Sequence, residues 1–285
     1  MNTEIRTEVS SIISEAEFNK MFPNRNPIYT YKGLVRAVEA YNDLLVGETE
    51  ELTLTNMLAF LANTSHETTG DGYESGTFDK GMYFVVEGGD ATVKLCEINP
   101  GNTPWCKAYG ITPDGTQSYY GRGALQLSYE SNYKSASKGI PNIPEDIYNN
   151  PNAVVKDSYL AWATALWFWC TPQGNKPACS AVILRQWNPN DNDIEKGRIN
   201  KTFANRMGVV TNIINGGIEA GSWNAEKKCV IPLTPPDSQV NKQAINRQQY
   251  YQSFVENFFA DKKVEVMTTD EYNINQASHM ANFNF

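Results

Sequence analysis

Residues 159–169, YLAWATALWFW, decide the fold class. The stretch is apolar almost all round, and a helix without a polar face belongs in the middle of a protein. Helical spacing continues on both sides of it. Tyr31, Leu34, Val35, Val38, Tyr41 and Leu45 recur at three- and four-residue intervals behind Thr30, a good N-cap. Thr55 is predicted to cap a further helix carrying Leu58, Phe60, Leu61 and Ala62. That helix ends at His66 and Glu67, with Gly70 and Gly72 as stop signals. Val9, Ile12, Ile13, Ala16, Met21 and Phe22 set a first helix before the break PNRNP, and 203–214 and 245–259 set two more. Between them lie irregular stretches at 99–119, 141–151, 171–180, 187–200 and 222–240, and a polar tail follows residue 262. The class is mostly α with long loops, and such loops usually carry a binding surface.

The 285 residues are 41% hydrophobic and 20% charged, the balance of one soluble globular domain or of two small ones. A chain of this length buries a sizeable core without a metal or staples. Asp plus Glu number 32 against 24 for Lys plus Arg, a formal charge of −8. An acidic surface argues against nucleic acid or an anionic membrane as the main partner, because both call for clustered cations. No apolar run approaches the ~20 residues of a membrane span. The start, MNTEIRTEVSS, reads as neither a signal nor a transit peptide.

Several motifs fail on spacing. His66-Glu67 resembles the start of a zinc-protease HExxH, but position 70 is Gly70. Asp191, Asp193 and Glu195 resemble an EF-hand loop, yet Lys196 and Thr202 stand where a glycine and a closing acid are needed. Gly121 and Gly123 do not extend to GxGxxG, and no GxSxG is present. Only His66 and His279 could supply imidazole and no CxxC doublet is present, so no structural metal is expected. Cys96, Cys106, Cys170, Cys179 and Cys229 leave two readings open: buried thiols, or short-loop bridges 96–106 and 170–179 in an oxidising compartment.

What remains is a carboxylate pair. Glu67 closes a helix, and Glu87 sits in MYFVVEGG, where the glycines place it at a turn or strand end. Two carboxyls in one cleft are the minimum apparatus for glycoside cleavage. The stretch 118–133, SYYGRGALQLSYESNY, offers Tyr119, Tyr120, Tyr129 and Tyr133 as flat faces and Gln126, Ser128 and Asn132 as neutral hydrogen-bonding groups. The mixture suits a polysaccharide, and it equally suits a polar core network. Trp105 has two possible uses, stacking on a sugar or anchoring its loop.

Taken together, SSIISEAEF near the start, TSHETTG at 64–70, the Glu87 region, YYGRGALQLS, LWFWCTPQGNKP and NIINGGIE at 212–219 resemble the plant-type glycoside hydrolase family 19 chitinases, in family order over residues 9–259. The resemblance implies one lysozyme-like helical catalytic domain over 1–285, with a cleft for β-1,4-linked N-acetylglucosamine and inverting hydrolysis without a cofactor. It implies Glu67 as general acid, Glu87 as general base and Ser128 as a holder of the attacking water. Trp105, Gln126, Asn132, Asn215 and Lys176 match substrate-binding positions, Glu219 and Arg247 a charged pair that tunes the acid, and Cys96–Cys106 a family disulfide. Tyr83 and Ala220 replace the family's other bridge, so Cys170–Cys179 is expected as a local substitute. Trp162 and Cys170 depart from the central-helix signature, and Ser131 stands where a tyrosine is common. The resemblance further implies a secreted monomer acting on chitin or chito-oligosaccharides. A non-catalytic chitin-binding or chitin-assembly protein and a peptidoglycan hydrolase are the alternatives. Peptidoglycan is anionic, as is this chain, which favours neutral chitin.

Overall fold

The computed structural model describes residues 12–72, 75–87, 95–100, 104–187, 203–219, 222–224, 229–231 and 239–266. The apolar stretch forms the helix Ser158–Cys170, one residue longer at each end than its core. Backbone contacts divide the chain into two units. The first comprises Met1–Asp43, Glu67–Asp71 and Asp79–Trp169, and the second Leu44–His66, Gly72–Phe78 and Cys170–Phe285. Ala220, most of the loop at 187–200 and the side chain of Cys229 lie outside the described residues, as does the tail beyond 266.

The first unit is organised on the Ser158–Trp169 part of that helix. Trp162 is fully buried, meets Tyr29 and Phe18 edge-on at 5.5 and 6.1 Å, and donates its indole N–H to the Thr30 carbonyl at 3.2 Å. The aromatic ring at position 162 therefore anchors the segment that starts the helix Tyr31–Ala40. Thr30 caps that helix through Gly33 N–H, as expected, and its hydroxyl also lies 2.7 Å from that of Ser158. The two helices approach so closely that a Cβ on Gly33 would meet Ser158 Oγ at 2.0 Å. The expected run to Leu45 is broken at Tyr41, and Asn42–Leu45 is a separate short turn. The first helix is Glu15–Met21, closed at its start by a Ser14–Glu17 capping box.

In the second unit, the long helix Glu50–Glu67 contributes residues through His66. Thr55 is not its cap, contrary to expectation. The helix starts five residues earlier, where Thr49 Oγ1 accepts the Leu52 N–H, and Glu50 and Glu51 favour the N-terminal dipole. Thr55 is instead buried and accepts the Glu265 N–H at 3.1 Å. Phe203–Glu219 and Gln239–Phe258 form the other long helices, and Cys179–Ile183 a short one. Phe203 packs on Tyr251 with ring centroids 4.9 Å apart. Ser222–Asn224 and Cys229–Ile231 pair as a small antiparallel ribbon.

Because Ser158 backbone oxygen also lies 3.0 Å from the Gly33 Cβ position, Gly33→Ala is expected to destabilise the fold by ~1–3 kcal/mol through overpacking. Urea unfolding of the two proteins measures the loss, and an unchanged midpoint would refute the close approach.

Candidate active site

A continuous set of backbone pairings builds the site within the first unit. Thr68 and Gly70, just past the end of the Glu50–Glu67 helix, pair with residues 80–84: Thr68 carbonyl accepts from Tyr83 and Phe84, and Gly70 N–H donates to Lys80 carbonyl. Three residues on, Glu87 N–H donates to Gly121 carbonyl and Gly123 N–H to Val85 carbonyl, both at 2.9 Å. Arg122 pairs in turn with Leu127. Glu67, Glu87 and Ser128 are thus tied to one backbone frame. Tyr83 lies against Gly70.

The Glu87 carboxylate is held at both oxygens. Gly121 N–H donates to Oε2 at 3.1 Å, and Tyr109 hydroxyl donates to Oε1 at 2.7 Å. A Cβ on Gly121 would stand 2.9 Å from Glu87 Oε2 and 3.1 Å from Ser128 Oγ. Glycine at this position lets the carboxylate and the hydroxyl flank one point. Gln126 and Tyr129, on either side of Ser128, adopt positive φ angles of 50° and 75°. For side chains with a Cβ this is backbone strain, which clusters where a turn must present a group.

The other expected residues of this unit are used locally. Ser128 hydroxyl donates to Gln126 carbonyl at 2.8 Å, Gln126 side-chain amide to Gly123 carbonyl, and Asn132 amide to Ser128 carbonyl. Tyr119, Tyr120 and Tyr133 are buried, leaving Tyr129 as the exposed member of the four; the polar-core reading of that stretch holds for the three. Trp105, on the short helix Pro104–Ala108, stacks on Tyr120 at 6.3 Å and meets Tyr109 edge-on at 5.1 Å. These rings surround the Cys96–Cys106 disulfide, which forms as expected.

The second unit holds Glu219, Arg247, Asn215 and Lys176. Arg247, fully buried, grips both oxygens of Glu219 at 2.5 and 2.9 Å and also donates to Asn63 Oδ1. Burial pushes the Glu219 carboxyl up, but Arg247's charge and hydrogen bonds outweigh it and hold the group below the usual carboxylate range. Asn215, at a kink in its helix, donates to Glu219 Oε1 at 2.9 Å. His66 packs beside this pair, with Nδ1 2.9 Å from Asn246 Oδ1 and Nε2 3.9 Å from Glu219. Burial, then the nearby Arg247 cation, lowers its pKa to about 3. Lys176 Nζ donates to Asn212 carbonyl at 2.7 Å, and desolvation lowers its pKa.

Cys170 and Cys179 correct an expectation: both are buried free thiols. Cys170 closes one helix and Cys179 opens another. The Cys170 thiol is engaged with the Ser180 side chain, and burial raises its pKa to about 12. Sequence reasoning missed Tyr109 and the role of Gly121. Tyr109 lies in a stretch read as irregular, and Gly121 discloses its use only once Glu87 is paired beside it.

The family model described as Chitinase class I matches residues 12–230. Chitinase 3 of Oryza sativa subsp. japonica is 39% identical over 229 residues, which cover 77% of this chain and 66% of that protein. The endochitinase of Persea americana is likewise 39% identical, over 77% of this chain and 64% of its own length. The chain therefore spans just under two thirds of these relatives. Among solved structures, chitinase C from Streptomyces griseus HUT6037 superposes with a TM-score of 0.57 at 29% identity, covering 86% of this chain and 76% of that one. A bacterial family 19 chitinase gives 0.54 at 29%, covering 85% and 95%. The fold is the mostly helical, lysozyme-like one of glycoside hydrolase family 19. The chain belongs to the Chitinase class I family.

His66 is neutral in the folded protein down to about pH 3, whereas unfolded histidine binds a proton near pH 6.5. Unfolding therefore takes up a proton between these values, and this contribution to stability, complete above pH 6.5, falls on acidification. The expected loss is about 2 kcal/mol by pH 5, removed in His66→Gln, with calorimetry across that range as the measurement. Glu219, with its lowered value, adds a loss of the same sign below about pH 4.3. For the thiols, alkylation without reductant should leave Cys170 and Cys179 unmodified in the native protein and label both in denaturant. Peptide masses showing the two joined would restore the bridge.

Proposed function

We propose that the protein hydrolyses chitin, endo-fashion, by inverting at the anomeric carbon with Glu67 as general acid and Glu87 as general base. The observation that carries the reading is the Glu87 carboxylate, fixed by two donors with Ser128 hydroxyl beside it. Family membership and the endochitinase names of relatives support the substrate class. As the glycosidic C–O bond breaks, the Glu67 carboxyl gives its proton to the leaving oxygen. A water oxygen bonds to the anomeric carbon from the opposite face and loses a proton to Glu87. Solvent exchange then reprotonates Glu67 and deprotonates Glu87.

Ser128's own proton is committed to Gln126 carbonyl, so its oxygen is left to accept. One water can then send one hydrogen to Ser128 and the other to Glu87, which aims its remaining lone pair at the sugar. Gln126, Asn132, Trp105, Lys176 and Asn215 are proposed substrate-binding residues, and Glu219 with Arg247 the pair that conditions the acid. Inversion calls for roughly 6.5–9.5 Å between the two carboxyls, where about 5 Å would serve retention. The Cys96–Cys106 disulfide supports secretion, since such bonds persist in oxidising compartments. The active species is proposed to be a monomer.

A timed digest of N-acetylglucosamine hexamer, with product lengths and anomers followed by NMR, tests the reading. The first product from a β-linkage should be the α-anomer. Glu67→Gln and Glu87→Gln should each lose at least ~100-fold in turnover, the usual worth of a positioned acid or base. A β-anomeric first product excludes inversion. Tight binding without cleavage by folded protein would instead favour a chitin-binding role.

A further inference from the structure

Tyr109 belongs to none of the motifs that carry the family resemblance, yet it makes the shortest hydrogen bond to Glu87, 2.7 Å to Oε1. The phenol cannot choose its direction freely. Its ring is held edge-on by Trp105 at 5.1 Å and lies tilted against Tyr129, also at 5.1 Å. Trp105 is in turn stacked on buried Tyr120 beside the Cys96–Cys106 disulfide. A rigid aromatic path thus runs from the disulfide to one oxygen of the carboxylate. Burial, followed by the hydrogen bond and charge of Glu87, pushes the Tyr109 phenol up. At neutral pH it is therefore protonated and acts as a donor.

The two oxygens of Glu87 are not equivalent. Oε1 faces Tyr109, whereas Oε2 faces Gly121 N–H and the point 2.9 Å away that Ser128 Oγ also flanks. We propose that Tyr109 is a positioning residue that clamps Oε1 and so assigns the proton-accepting role to Oε2, on the side where Ser128 holds the water. This inference rests on Glu87 being the base. Without the clamp, the carboxylate retains the Gly121 bond but can rotate about its last torsion, and fewer encounters present Oε2 to the water. A group that sets only the geometry of the chemical step acts on kcat and leaves ground-state binding alone.

The test is a double-mutant cycle on N-acetylglucosamine hexamer hydrolysis with Tyr109→Phe, Glu87→Gln and the pair. Phenylalanine keeps the ring between Trp105 and Tyr129 and removes only the hydroxyl. Tyr109→Phe should lower kcat ten- to a hundredfold, with KM and melting temperature close to wild type. In the Glu87→Gln background the same change should cost less than twofold, because the group it positions is already gone. If Tyr109→Phe keeps kcat within twofold while Glu87→Gln abolishes turnover, the positioning role falls and the proposed function stands. A raised KM with unchanged kcat, or an equal loss in both backgrounds, likewise overturns it by making Tyr109 a substrate contact or a purely structural residue. Should Glu87→Gln itself turn over like wild type, the base assignment fails and the inference goes with it.

Discussion

Three residues of backbone, 85–87, paired against 121–123, are the constraint from which the candidate site follows. Glu87 N–H and carboxylate both engage Gly121, the first through its carbonyl and the second through its N–H. Successive side chains on an extended segment point to opposite faces, so a slip of one residue would turn Glu87 away from Ser128 entirely. The register is locked from behind by Arg122, whose buried guanidinium lies 3.6 Å from the Tyr120 ring centre and bonds Asn152 and the Tyr120 carbonyl. Gly123, at φ +78°, turns the chain where a Cβ would press on the Ala161 carbonyl of the central helix. Its neighbour Ala124 donates to that carbonyl at 3.0 Å. The apolar helix thus fixes the segment 121–124 that in turn fixes the carboxylate.

The second unit meets a different demand, the accommodation of charge away from water. Glu219 and Arg247 are each almost wholly buried, an arrangement whose desolvation cost is tolerable only with near-complete hydrogen bonding. Asn215 and Asn63 supply the additional partners, and a neutral His66 avoids adding a second cation. Such a cluster contributes little net stability compared with a well-packed apolar equivalent. The kink at Asn215 has a direct use here, since its amide reaches the carboxylate one turn further along the same helix.

The central helix was legible because ten apolar residues in a run of eleven leave no alternative to burial, and Thr30 because threonine before a helical period is a preferred cap. Thr55 misled for the same reason. It stands before an apolar run, but Thr49 followed by two glutamates is the stronger start, and propagation from there absorbs Thr55 into the interior. The Cys170–Cys179 bridge failed because closeness in sequence says nothing of thiol orientation. The tyrosines of 118–133 left a sugar surface and a polar core both open in the sequence, because burial of three of them is set by neighbours distant in the chain. Tyr109 was out of reach altogether, since its role depends on a pairing between segments more than thirty residues apart.

The same frame also gives the two glutamates of this unit different surroundings. Glu67 is the last residue of an eighteen-residue helix, at the negative end of its macrodipole. Glu87 meets the reverse: a backbone N–H and a phenol, both donors, directed at its two oxygens. On the proposed mechanism the two carboxyls take different roles, and the local backbone gives them different surroundings before any substrate arrives. Thr68 gives its carbonyl to Tyr83 and Phe84 directly after the helix ends, so the backbone frame that goes on to hold Glu87 begins where Glu67 leaves its helix.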